Sequence, residues 1–173
     1  MEEVKFSKKN QPCYDKNGNF IGWFSRSIAT AIFVYCKDKN GNWHVLASER
    51  GKGTPDFHGY WNCPCGYLDF DETVAGCSTR ELLEETGVSI KPSKLIFIGY
   101  EDSPSANHQN VTFRFASLIY DKTINEIEFS KEKNEQDEVG EIAWIKLDEI
   151  GKHKWAFGHE NRIMEIASQM KIV

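Results

Sequence analysis

Apolar and polar positions divide the chain into short strand-like runs, polar turns and two stretches of helical period. Ser27–Lys37 (SIATAIFVYCK) is almost entirely apolar and β-branched, the pattern of a central strand buried on both faces. Asn42–Arg50 (NWHVLASER) alternates more and reads as its neighbour, with Asn40-Gly41 as the hairpin turn between them. Asn17-Gly18 predicts a second hairpin turn nearer the start. Gly51–Gly66, rich in glycine, proline and aromatics, reads as an irregular loop. Lys94–Glu101 and Asn110–Tyr120 read as strands joined by the polar Asp102–Gln109, and Glu141–Ile150 as a strand running into a turn. Helical period predicts one helix from about Thr73 to Thr86. It predicts another from about Gly158 to Met170, where Ile163, Met164, Ile166, Ala167 and Met170 cluster. Strands, a helix, more strands and a terminal helix imply an α/β fold with a mixed sheet covered by helices, rather than a doubly wound parallel sheet.

Composition narrows the class. A chain of 173 residues with 40% hydrophobic content and 13% aromatics suits one globular domain spanning 1–173. The formal charge of −5 comes with clustered acids and scattered bases, so no basic face for a nucleic-acid polymer is visible. Cysteines stand at 13, 36, 63, 65 and 77. Their odd number and the charged, polar opening MEEVKFSKKNQ fit reduced thiols in a cytoplasmic protein. Cys63-Pro64-Cys65 lacks the spacing of a zinc knuckle and has no second pair to complete one. No apolar run approaches the length of about 18 residues that a membrane span requires.

The helix beginning near Thr73 poses a physical problem. Thr73 or Asp71 can cap its start, and Gly87 can adopt the left-handed conformation that ends it. At 100° per residue, Glu81, Glu84 and Glu85 fall within an arc of roughly 100°, so the three carboxylates point the same way. Like charges at this spacing repel, and the dipole at a helix C-terminus favours cations instead. Arg80 can neutralise one acid at most. A solvated acidic face is the ordinary explanation of such a cluster. A hard divalent cation such as Mg2+, which takes carboxylate oxygens and keeps room for phosphate, is the alternative.

The full spacing favours the cation. Gly66, Glu72 and the run Arg80-Glu81-Leu82-Leu83-Glu84-Glu85-Thr86-Gly87-Val88 match every specified position of G-x5-E-x7-R-E-U-x-E-E-x-G-U, where U is a bulky aliphatic residue. This resembles the signature of the Nudix hydrolases. Trp61-x-x-Pro64-x-Gly66 and the acidic, Trp-bearing segment from Glu138 to Ile150 also resemble that family. Residues 1–25 lie outside the resemblance, as an N-terminal extension. Cys65 is a departure, because many members carry glycine there and cysteine disfavours positive φ.

The resemblance implies a three-layer α/β/α sandwich with a mixed β-sheet. It implies Mg2+-dependent hydrolysis, with Mn2+ as a substitute, of a nucleoside diphosphate linked to another moiety. ADP-ribose, a dinucleotide and a nucleoside triphosphate all qualify as substrate. Glu81, Glu84 and Glu85 match the metal ligands, with Glu81 and Glu84 also placed in the catalytic set. Arg80, a further member of that set, matches the box arginine that pairs with Glu72 to hold loop against helix. Glu138 is the candidate general base, with Glu135 and Asp137 as rivals; such an acid needs only to reach the attacking water. Tyr60, Trp61, Trp23 and Trp155 have the chemistry to stack on a base, though core packing suits Trp61 better. His58 and His108 lie in expected loops beside the site, more suited to idle exposure than to phosphate. Cys77 reads as a small packing residue, and Trp155–Ile163 is assigned no chemistry. The partner is a small nucleotide, with no membrane; a homodimer, frequent in the family, is left open. A non-catalytic nucleotide sensor and an isoprenoid diphosphate isomerase are the rival readings.

Overall fold

The structure, a computed structural model, describes residues 9–104, 109–131 and 137–173. Its first element is an outlying two-stranded ribbon, β1 (Gln11–Tyr14) with β2 (Phe20–Phe24), whose Phe20, Ile21, Trp23 and Phe24 are exposed. Everything else is organised about β3 (Ile28–Lys37), whose interior positions from Ala29 to Cys36 are all buried. β3 runs antiparallel to β4 (Trp43–Arg50) over Tyr35–Lys37. Further back, over Ala29–Ala31, its antiparallel neighbour is β6 (Cys65–Tyr67) instead. On its other side it runs parallel to β8 (Val111–Thr123), which β7 (Ile96–Glu101) flanks antiparallel. β5 (Trp61–Asn62) and β9 (Val139–Lys146) both pair with β4. The sheet is therefore mixed, and it divides where β3 exchanges β4 for β6.

Strict alternation along β3 builds the two cores. Ile32 and Val34 face one side with Leu46 and Phe115, and Leu82 of α1 (Val74–Thr86) packs onto them. Phe33 and Tyr35 face the other side with Val45, beneath Ile163, Ile166 and Ala167 of α2 (His159–Gln169). Full burial of one leucine such as Leu82 contributes about 1.5–3 kcal/mol. The Tyr35 hydroxyl donates to the Ile163 carbonyl at 2.9 Å and ties α2 to the sheet. The result is the expected three-layer α/β/α sandwich.

Both Asn-Gly dipeptides form turns, and by the same device. In Asp15–Asn19 and Asp38–Asn42, each the pentapeptide DKNGN, the aspartate Oδ1 accepts from two later backbone N–H groups at 2.8–2.9 Å. Gly18 and Gly41 both take φ 85°. The expected loop Gly51–Gly66 is only partly irregular: its last six residues hold β5 and the first two residues of β6. Elements of two and three residues are too short to show a period, and they form because β4 and β3 each leave a paired edge for them there. β8 also runs three residues beyond the expected Tyr120, and an irregularity in its pairing falls between Cys36 and Lys37 of β3. Among the described residues, no helix is long and apolar enough to cross a membrane.

Candidate active site

The acidic helix has the expected ends. Thr73, not Asp71, is the cap: its Oγ1 accepts from the Gly76 N–H at 3.1 Å. Gly87 closes the helix with φ 75°, its N–H donating to the Leu83 carbonyl at 2.9 Å. Between these ends Leu82 and Thr86 face the core, which leaves Glu81, Glu84 and Glu85 on the flank toward β6 and the sheet division.

The three carboxylates do not share one orientation. Glu81 and Glu84 meet Arg80, whose Nη1 donates to Glu81 Oε1 at 2.8 Å and Glu84 Oε2 at 2.9 Å. Arg80 also grips Glu72 through Nε at 3.2 Å and Nη2 at 2.8 Å, and its Nη2 reaches the Tyr67 carbonyl at 3.0 Å. One guanidinium thus hydrogen-bonds three acids and stands 3.7 Å from a fourth, Asp69, more than the single acid expected, because its five N–H donors fan out in a plane. The Arg80 bond holds the Glu72 carboxyl down to about 2, and Glu72 Oε1 accepts from the Asp69 N–H as well, fastening the loop to the helix. Glu85 instead turns inward. Its oxygens accept from Ser48 Oγ at 2.9 Å and the Cys65 N–H at 3.2 Å, and desolvation pushes its carboxyl up to about 8. Desolvation raises Glu81 too, against the pull of Arg80. Among the described residues, no three His, Cys, Asp or Glu side chains already converge as a metal cage.

Gly66 explains how Glu81 fits. A Cβ built on it would overlap the Glu81 carboxylate, so glycine there leaves the acid its place against the strand. Cys65, the departure from the resemblance, lies in β6 outside the left-handed region, and its N–H is spent on Glu85. Burial pushes its thiol up to about 12. No cysteine of the chain is in a disulfide.

A cavity of about 920 Å³ opens beside these groups, and Arg80, Glu81 and Glu85 line it with Cys65, Gly66 and the exposed Glu138; Glu84 stands outside its lining. Asp137 is exposed with φ 56°, and its carbonyl accepts from the Gly53 N–H. Glu135 and His108 lie outside the described residues. His58 contacts the Thr54 carbonyl and is absent from the cavity wall. Trp61 stacks edge-on against His153 beside the core of the α2 face, Trp155 is buried there, and Trp23 is exposed on the ribbon. Cys77 is buried, taking a bond from Thr30 and giving one to the Tyr67 carbonyl.

Sequence reasoning missed the rest of the cavity. Arg50, Arg114, Phe157, His159 and Arg162 line it. Arg50 sits 4.7 Å from the Phe157 ring centre and pairs with Asp56 at 2.6 Å. His159 is buried and held neutral, its pKa pushed down to about 3 by desolvation, and its Nδ1 accepts from the Cys63 N–H at 3.0 Å. Arg114 interrupts the apolar run of β8, and that interruption is the one signal the sequence offered for these residues.

This arrangement agrees with comparison to known proteins. The family model of the NUDIX domain matches residues 26–165. The chain belongs to the NUDIX family. Solved structures share the fold. The NUDIX domain of Shewanella oneidensis NrtR, complexed with ADP ribose, aligns with TM-score 0.68 and 19% identity over 91% of this chain and 94% of that one. A Francisella tularensis bifunctional NMN adenylyltransferase/ADP ribose pyrophosphatase, complexed with AMP and manganese, aligns with TM-score 0.62 and 21% identity over 85% of this chain and 42% of that one. Phosphatase NudJ of Escherichia coli K12 is 50% identical over 36 residues, 21% of this chain and 24% of that protein, so the match spans about a quarter of that relative. In this NUDIX protein the box supplies α1 and the strand before it, and the family match begins at Arg26, after the β1–β2 ribbon.

Proposed function

We propose that this NUDIX protein hydrolyses the pyrophosphate bond of a nucleoside diphosphate linked to another moiety, with Mg2+ or Mn2+ held by Glu81, Glu84 and Glu85. The observation that carries the reading is the pair of desolvated carboxylates, Glu81 and Glu85, on the wall of a cavity large enough for a nucleotide. Buried acids are costly unless a cation joins them. The donor set fits magnesium: it is all carboxylate oxygen, at helical spacing, beside a strand whose glycine keeps the space clear. When bound, the metal neutralises phosphoanhydride charge and favours the ionised form of an attacking water.

The chain's own residues have distinct tasks in this reading. Arg80 keeps Glu81 and Glu84 in place and braces the box loop through Glu72. Ser48 and the Cys65 N–H orient Glu85. Glu138, exposed on the same cavity, takes the proton of the attacking water as general base. The structural likeness to an ADP-ribose-binding domain and to an ADP ribose pyrophosphatase makes ADP-ribose the first substrate to try. NrtR has also been solved with a 27mer DNA, which keeps nucleotide sensing as the second reading. The complete carboxylate set favours hydrolysis over it.

The test is a screen of ADP-ribose, dinucleotides, nucleoside triphosphates and an isoprenoid diphosphate with magnesium and with manganese, identifying products. Release of a nucleoside monophosphate, abolished by a chelator, is the expected result. Nucleotide binding without turnover would replace the proposal with a sensor, and an isomerised but intact isoprenoid diphosphate would replace it with an isomerase.

A further inference from the structure

The cavity has an acid-rich end and an arginine-rich end. Cys65 pairs with Ala31, and Ala31 with Arg114; Tyr67 pairs with Ala29, and Ala29 with Thr112. Neighbouring strands stand about 4.8 Å apart, so Arg114 lies about 10 Å across the sheet from the box strand. Between them Ala29 and Ala31 contribute only methyl groups to the lining, which leaves the floor open. The box end carries Asp69, Glu81 and Glu85 around Arg80. The far end carries Arg26, Arg114 and Arg162 against the single Glu101, in a chain whose net charge is −5.

Of the far-end arginines, Arg114 is the loosely matched one. Arg114 and Arg162 both reach one oxygen, Glu101 Oε2, at 3.4 and 3.3 Å. Those distances exceed the usual charge-assisted bond, so the shared carboxylate matches Arg114 only loosely. Arg162 also meets Glu165 at 2.6 Å, whereas Glu101 is the one ion-pair partner of Arg114 among the described residues. Burial, then the charge of Arg162, disfavours the Arg114 cation, so a further anion there would relieve it. Arg26 is fixed nearby by donating to the backbone carbonyls of Asp102, Gln109 and Asn110 at 2.6–3.0 Å.

We infer that this end of the cavity is a subsite for an oxyanion, a carboxylate or phosphate, carried by the moiety beyond the diphosphate, with Arg114 and Arg162 as its specificity-determining residues. The inference rests on the pyrophosphatase reading for the placement of the diphosphate at the box. Glu101 then acts as an internal stand-in that the ligand's oxyanion displaces or joins. The substrate class narrows to nucleoside diphosphates joined to an acidic group such as a sugar acid or sugar phosphate.

UDP-glucuronate and UDP-glucose differ at one carbon, a carboxylate against a hydroxymethyl group, and make the probe. Their affinities are measured by calorimetry with calcium in place of magnesium, on the wild type and on Arg114→Gln, Arg162→Gln and Glu101→Gln. A preference of about tenfold for UDP-glucuronate is expected, the usual worth of a charge-assisted contact. Either arginine variant should shrink that ratio to about twofold or less, and Glu101→Gln should enlarge it. Arg162, with a side chain 35% exposed, keeps the test open if Arg114→Gln does not fold. Equal wild-type affinities, no binding of either nucleotide, or a preference that survives both arginine substitutions overturns the subsite. Hydrolysis under magnesium separates the two claims: turnover with equal affinities sinks the subsite alone, and a preference without turnover of any diphosphate sinks the hydrolase reading alone.

Discussion

Replacing Gly66 with alanine isolates the geometry of the box from its chemistry. Gly66 lies in β6 opposite Thr30, outside the left-handed region, so its backbone accepts a side chain without torsional strain. The three atoms nearest the added methyl would all belong to the Glu81 carboxylate. The nearest carboxylate oxygen would stand 2.1 Å away, so the carboxylate must retreat by about 1.5 Å to restore ordinary van der Waals distance. It is the end of a flexible side chain, so the fold need not adjust. Alanine gains about 0.4–1 kcal/mol by restricting the unfolded chain. Weakening the 2.8 Å Arg80–Glu81 pair, whose side chains are 28% and 15% exposed, offsets this by about 1 kcal/mol. The net is near zero, and Tm should move by no more than about 2–4 °C. Activity should not be spared. A misplacement of about 1 Å in a positioning group costs about 10²-fold. Steady-state kinetics at saturating magnesium would show this loss beside an unchanged melting curve. In a double-mutant cycle with Glu81→Ala, the Gly66→Ala effect should vanish, because it acts through that carboxylate. Activity within threefold of wild type, or a Gly66→Ala effect that persists without Glu81, would refute the reasoning.

The remaining predictions address single groups. Glu84→Gln should lower kcat on the order of 10²-fold or more while the protein stays folded, since that side chain is 39% exposed and, among the described residues, Arg80 alone bonds it. Activity within tenfold at saturating magnesium removes it from the ligand set. Glu138→Gln should lower kcat by about 10²-fold without altering the melting temperature, and a flattened acid limb in the pH–rate profile identifies it as the base. Glu85, raised to about 8 in the folded chain, binds a proton that the unfolded chain has released above about 4.5. Metal-free stability should therefore fall as pH rises between those values, by up to about 1.4 kcal/mol per pH unit from this group. Magnesium should remove that fall, and thermal melts with chelator and with magnesium from pH 5 to 9 would show a constant gap if Glu85 is no ligand.

What the chain betrays locally it betrays well. The helix with its Thr73 cap and Gly87 stop, both Asn-Gly turns, the doubly buried β3 and the box spacing are properties of neighbouring residues. Capping bonds, left-handed glycines and side-chain periods act within a few positions, so the pattern that causes them is visible in the letters. The direction of three glutamates was legible only in part. Helical phase puts them on one flank, but Arg80 and Ser48 pull them apart, and Ser48 comes from a strand more than thirty residues earlier. β5 and β6 escaped for a similar reason, because they exist by virtue of edges that β3 and β4 leave open. The cationic end of the cavity joins Arg26, Glu101, Arg114 and Arg162, which no local pattern connects.

The sequence by itself therefore determined the family and the acids of the box, because both follow from short-range spacing, and the layer order came through the resemblance to that family. Only the tertiary structure decided which acid is buried, what a missing Cβ protects and which arginines face the box across the sheet. Those depend on strand register and desolvation, long-range quantities set when distant segments meet.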